Sequence, residues 1–350
     1  EGFSLVAGLR EMPDGRLMIS DAIGQMLMFA DMDTGEMEII GREGRGPQEY
    51  RTPDALFPLP GDSTLFVDLG NGRLTVLGPN GGFGETRPIA RDIRGQLVAI
   101  LPRGVDAQGR VYFQPFAFGG GRPGAGLPDS AMIVRWDRRT DVIDTIGAVK
   151  LQERRMERSG SGNNQTVRLR QVPMSAQDAW NVAPDGRVVV ARSPEYYLEW
   201  IGDGTRERGP TMDFDPVRVR TAEKEFWVES RSRGGLRIGV RIENGVRQMS
   251  FGRGTGPNDR LDISGFEWPE TMPAFTTGAA VNVDLNGNAW VRRSVRIGNN
   301  QVYDVFGARG ELAERIILPA GRQVVGFGEN TVYAVYFDEF DLQWLERYPM

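Results

Sequence analysis

One short pattern recurs along this chain and constrains its fold more than any other feature. A polar turn containing Gly or Asn is followed at once by a run of alternating apolar residues. It appears as PDGRLMISD at Pro13 to Asp21 and PGDSTLFVDLG at Pro60 to Gly70. DAQGRVYFQP at Asp106 to Pro115 and PDGRVVVARS at Pro184 to Ser193 follow. DLNGNAWVRRS at Asp284 to Ser294 and FGENTVYAVYFD at Phe327 to Asp338 complete six copies. Asp-Gly and Asn-Gly accept the positive φ of a tight hairpin. The residues after them are rich in Val, Ile, Tyr and Phe, which suit a pleated, packed surface.

Further strand-like runs follow several copies, such as QMLMFADM, AMIVRWDR and QVYDVFGARG, and then MEIIG or ELAERIILP. With the strand before each turn, this makes about four strands per copy. The steps from Gly15 to Gly61 to Gly109 match the ~40–50 residues of a propeller blade. The steps to Gly186 and Gly287 are longer and signal insertions. A pair of β-sandwiches would use the same turns, but the recurring count of four favours a ring of radial sheets.

The expected fold is therefore all-β: one domain over 1–350, a six-bladed β-propeller with about four antiparallel strands per blade and one short inserted helix. The blades are expected near 1–46, 47–92, 93–149, 172–215, 274–319 and 320–350, with insertions at 150–171 and 216–273. The last copy shows three strands, so its closing strand is expected upstream of Glu1 or to be very short. The 46 glycines and 21 prolines fit many turns.

GREGRGPQEY at Gly41 to Tyr50 tests a rival reading, a phosphate-binding loop. That loop needs a following helix and a Lys-Ser/Thr end. Pro47 and Pro53 oppose a helix, and a related string, GRGTGPND, occurs at Gly252 to Asp259. Both read as joints between sheets. GGGRPGAG at Gly119 to Gly126 lies between two strands and reads as a surface loop rather than a dinucleotide fingerprint.

GREGRGP, the PDGR turns and the run Trp268 to Arg293 resemble bacterial six-bladed propeller proteins related to NHL-repeat and TolB-like propellers. The likeness is weakest at Gln152 to Val172 and Gly234 to Asn258. It implies an exported protein, periplasmic or extracellular, in a group largely without an assigned reaction. Glu1 in place of a methionine fits a removed export signal.

The chain has no cysteine and no histidine. Thiol nucleophiles, disulfides and Ser-His-Asp chemistry are excluded. The net charge is −5, which does not indicate a nucleic-acid surface. No apolar run reaches the ~18 residues of a membrane span. Of 42 basic residues, 40 are arginine and only Lys150 and Lys224 are lysine. That bias fits either a GC-rich genome or an arginine surface for anions or a protein partner.

Carboxylate metal ligands are conceivable at Asp68, Asp106, Asp284 and Asn286, and DMDTGE at Asp31 to Glu36 has some look of a calcium loop. All of these read better as turn formers. No catalytic, metal or cofactor-binding residue is assigned, and no cofactor is expected.

Leu151 to Gln171 is basic and reads as a long exposed connection. Thr221 to Arg233 reads as a helix: Thr221 caps it, Glu223 and Glu225 suit its positive end, and Gly234-Gly235 stops it. Phe226 and Trp227 form its expected buried face or a partner anchor.

The leading expectation is a non-catalytic scaffold or accessory subunit of a bacterial envelope assembly, conceivably a membrane-bound electron-transport complex. Its partner-binding residues are Arg154, Arg155, Arg158, Phe226, Trp227, Arg231 and Arg233. The alternatives are a metal-dependent, lactonase-like hydrolase with carboxylate ligands, and a sugar- or peptide-binding module. For that module, tryptophans such as Trp136 and Trp290 fall inside strand patterns and read as packing residues.

Overall fold

A computed structural model describes residues 2–93, 96–117, 128–159, 166–243, 246–253 and 262–350. Within them the six repeats fold as six antiparallel sheets, and the chain is a six-bladed β-propeller. Blades 1 to 5 each hold four strands in chain order, and blade 6 holds three among the described residues. The innermost strands are Val6–Glu11, Pro53–Pro58, Pro102–Val105, Ala179–Val182, Val281–Val283 and Gln323–Gly328. The hairpin turns carry the expected left-handed glycines, with φ of 85° at Gly15 and 89° at Gly186. In the last repeat that conformation falls on Asn330, at φ 71°, which is the non-glycine type that tolerates it best.

Alternation of large apolar residues along each strand leaves two apolar faces per sheet, and the ring buries both. Six apolar clusters result, one between each pair of neighbouring blades. The cluster between blades 2 and 3 holds Leu65, Phe113 and Trp136, all essentially inaccessible to water. Burying one ring such as Phe113 contributes about 1.5–3 kcal/mol. Trp136 and Trp290 are packing residues of this kind.

The ring closes between blades 6 and 1. Phe3, Val6, Leu9, Tyr333 and Val335 share one cluster there. Phe3 exchanges backbone hydrogen bonds with Gln343 at 2.7 and 2.6 Å, a single antiparallel bridge at the edge of strand Gln343–Pro349. The Gln343 side chain accepts from the Val6 amide at 2.6 Å.

In a blade of four alternating strands, the exit of the outermost strand and the start of the next innermost strand lie on one rim. The insertions between blades 1 and 2, 3 and 4, and 4 and 5 use that connection, and the link between the second and third strands of blade 3, Val111–Phe113 and Ser130–Asp137, opens on the same rim, so these segments decorate one face. GREGRGPQEY is one: Arg42–Glu43 and Glu49–Tyr50 form a short parallel pair joining blades 1 and 2. The segment expected as an open connection instead contains a hairpin, Arg154–Ser159 paired with Thr166–Gln171. The second insertion carries helix α1, Thr221–Gly234, and a hairpin of Leu236–Glu243 with Val246–Arg253. Gly119 to Gly126 and most of GRGTGPND lie outside the described residues. No described helix is long and apolar enough to cross a membrane.

Candidate functional site

Helix α1 builds one wall of the site. Glu223, Phe226, Trp227, Ser230 and Arg231 recur at the spacing of one helical face, and all five line a cleft of about 710 Å³ on the decorated rim. Such a face is ordinarily apolar. Here it carries a carboxylate, two rings, a hydroxyl and a guanidinium. The Glu223 carboxylate is buried and accepts from the Arg220 amide at 3.0 Å and the Ile297 amide at 3.4 Å. A carboxylate in the first turn also suits the helix dipole. Trp227 packs edge-on against Phe266 and Trp268, with centroids 5.2 and 5.6 Å away, and Arg231 stacks on Trp227 at 5.0 Å. Phe226, expected to be buried, is 51% exposed and faces the cleft instead.

The opposite wall is the loop after strand Ala289–Arg292, with Arg292, Arg293, Ser294, Arg296 and Ile297 in the lining and Arg322 beside them. Arg293 is held by Asp304 at 2.5 Å, under Tyr196 at 4.8 Å. Arg322 is held by Glu346 at 3.0 Å. Burial and the Asp304 charge push the Tyr196 hydroxyl well above its usual pKa, so it stays a donor. Among the described residues, Arg231, Arg292 and Arg296 make no ion pair. The Ser294 hydroxyl, shielded from water, has no hydrogen-bond partner there either.

Arg103 adds charge near this cleft. It donates to the carbonyls of Gly278, a lining residue, at 3.0 Å and of Trp180 at 3.2 Å. Burial lowers its pKa to about 10, which leaves it a cation at neutral pH. Among the described residues, the lining holds five arginines and one acidic residue, Glu223. The volume falls within the ~300–1,000 Å³ of small-molecule sites. A shallower depression over blade 4, of about 410 Å³, is lined by Lys150, Asp178, Arg192, Glu199 and Arg206. Its charges are largely satisfied internally: Arg192 pairs with Asp178 and Glu199, and Arg206 with Glu199.

Of the residues singled out in the sequence, Phe226, Trp227 and Arg231 meet in the cleft. Arg154 and Arg155 do not. Arg154 donates to the Pro128 carbonyl at 2.8 Å, and Arg155 bridges Glu153 and Glu267, tying the two insertions together. Arg158 and Arg233 are placed by their backbone in the first hairpin and in α1, and their side chains lie outside the described residues. Sequence reasoning missed Arg292, Arg293, Arg296 and Arg322. The run WVRRSVR, with three arginines in five residues beside a turn, was the available signal for three of them.

The candidate metal ligands serve turns. Asp68 accepts from Asn71 and Arg73, and Asp106 from Arg110 and Tyr112. Asp284 accepts from Asn288 and Trp290, and Asp31 from the amides of Asp33 and Thr34. Among the described residues, no three Asp or Glu side chains converge as a ligand set.

No family model matches the chain, and no curated protein is matched. Solved structures do match. A gluconolactonase from Xanthomonas campestris is 11% identical, with 98% of this chain and 86% of that one covered and a TM-score of 0.46. A luciferin-regenerating enzyme is 10% identical, with 99% and 91% covered and a TM-score of 0.44. A member of the DUF4221 family from Bacteroides vulgatus is 9% identical, with 100% and 94% covered and a TM-score of 0.48. At these identities the likeness speaks to the fold.

The expectation of a non-catalytic scaffold or accessory subunit is corrected here. The helix face expected to anchor a protein partner lines a concave cleft of small-molecule size instead.

Proposed function

We propose that the chain is a hydrolase of the lactone- or ester-opening kind, acting on a small organic anion held in the α1 cleft. The observation that supports this most directly is the charge of the described lining: beyond Arg293 and Arg322, which Asp304 and Glu346 balance, three guanidiniums stand against one carboxylate. Arg231, Arg292 and Arg296 make no ion pair among the described residues, and a guanidinium fork matches a carboxylate or phosphate in two-point fashion.

The chemistry needs a base and a site for developing negative charge. Glu223 is the one carboxylate of the described lining, and each of its oxygens keeps a lone pair beyond the amide it already accepts from. It takes a proton from the attacking water as the water oxygen bonds to the ester carbon. Arg292 stabilises the resulting oxyanion. Collapse breaks the bond to the alkoxide, which receives the proton from Glu223, leaving an alcohol and a carboxylic acid that releases its remaining proton to solvent. The described residues do not fit a carboxylate-ligated metal, so no step is routed through one.

The test is hydrolysis of a panel of lactones and esters with and without a carboxylate or phosphate group, followed by acid release. Turnover restricted to the anionic members, lost in Glu223→Gln and unaffected by EDTA, is expected. Equal turnover of neutral members, or full activity in Glu223→Gln, overturns the reading.

A further inference from the structure

We infer that the anion taken by this cleft carries a flat apolar ring, and that Phe226 is the residue that selects it; this rests on the reading of the cleft as an anion site. Three observations converge. Phe226 and Trp227 are neighbours on the cleft-facing side of α1, yet their surroundings differ. Trp227 spends its ring on Phe266 and Trp268. Phe226 makes no ring contact among the described residues and stays 51% exposed.

Second, Ile297 on the opposite wall is 45% exposed and also lines the cleft. The hydrogen bond from its amide to Glu223 fixes it beside the first turn of α1, one turn from Phe226. Third, Met174, Met272 and Val295 extend the apolar lining, while Arg292 and Arg296, which make no ion pair among the described residues, belong to the same cleft.

Two large apolar side chains left open to water inside an arginine-lined cavity are costly unless something covers them. A free inorganic anion or a short aliphatic acid would satisfy the guanidiniums and leave Phe226 wet. An anion with an aromatic or similarly flat body satisfies both, because ring-on-ring contact adds to the area buried. Phe226 is thus a specificity residue, separate from the groups assigned to proton transfer.

Calorimetric titration with matched pairs tests this: benzoate against acetate, and phenyl phosphate against methyl phosphate. The ring-bearing member is expected to bind about tenfold tighter or more. Phe226→Ala is expected to erase that preference while the affinity for acetate and methyl phosphate is unchanged, which also shows that the variant is folded. Equal affinity within each pair, or a preference that survives Phe226→Ala, overturns the ring inference and leaves the anion site standing. No binding by any of the four anions overturns both.

Discussion

Arg253 grips Asp54 with both arms of its guanidinium, at 2.6 and 2.9 Å, although 199 residues separate them in the chain. Asp54 is buried on the innermost strand of blade 2, and Arg253 ends the hairpin inserted between blades 4 and 5. Met249 and Phe251 of the same hairpin pack on the cluster between blades 2 and 3. The insertion is therefore a strap laid across the decorated face. Arg253→Ala leaves a buried carboxylate without its cation. It is expected to cost about 2–3 kcal/mol, below the range for a fully enclosed pair because Arg253 keeps some contact with water. Urea denaturation measures it, and Asp54→Ala combined with Arg253→Ala is expected to cost less than the sum of the two.

Arg292 and Arg293 are adjacent but carry opposite expectations. Arg292→Ala removes a guanidinium with no ion pair among the described residues, so melting is expected to be unchanged while anion affinity falls about tenfold or more. Arg293→Ala strips Asp304, whose side chain is wholly buried, of one of its two arginine partners. It is expected to lower stability by about 2–4 kcal/mol. Thermal melts with and without ligand separate the two effects.

Gly8 sits where the innermost strands of blades 1 and 2 touch. A methyl group there would lie 2.7 Å from the Leu56 nitrogen and 2.8 Å from the Asp54 carbonyl oxygen, both backbone atoms that cannot step aside. Gly8→Ala is expected to destabilise by about 1–3 kcal/mol, as over-packing does elsewhere. Its size is read from the denaturation midpoint.

Asp141 gives an acid-side prediction. Arg91 holds its carboxylate at 2.8 Å through two hydrogen bonds and the Trp136 indole donates to it at 2.8 Å. These lower its pKa to about 2. A folded value below the unfolded one, about 3.9, adds stability that is present above that pH and lost as pH falls toward the folded value. Asp141→Asn is therefore expected to reduce stability at pH 6 and to matter progressively less as the pH is lowered through this window. Denaturation at pH 6 and at pH 2.5 compares the two; an equal difference at both would contradict it.

The ring of blades was legible because each repeat carries its own turn: Gly15, Gly61, Gly109, Gly186 and Gly287 all adopt the left-handed backbone that the sequence demanded. Helix α1 was legible from Glu223 and the Gly234-Gly235 stop, but its N-cap is Arg220 and the expected cap, Thr221, is the first helical residue, because Glu223 reaches back to the Arg220 amide. The hairpin at Arg154–Ser159 was not, because its charged strand lacks the apolar alternation that reveals a half-buried one. The cleft was legible only in its helical wall. Its lining runs from Gln152 to Gln323, and the pairing of Arg253 with Asp54 is set by how the strap lands, which no local pattern encodes.

The placement of the larger insertions on one rim of the ring has a consequence for how such a chain can change. Lengthening or rewriting these segments alters what the decorated surface recognises, while the apolar seams between sheets are specified by other residues. Recognition and folding can thus vary almost independently, except where a strap such as Arg253 on Asp54 ties one to the other.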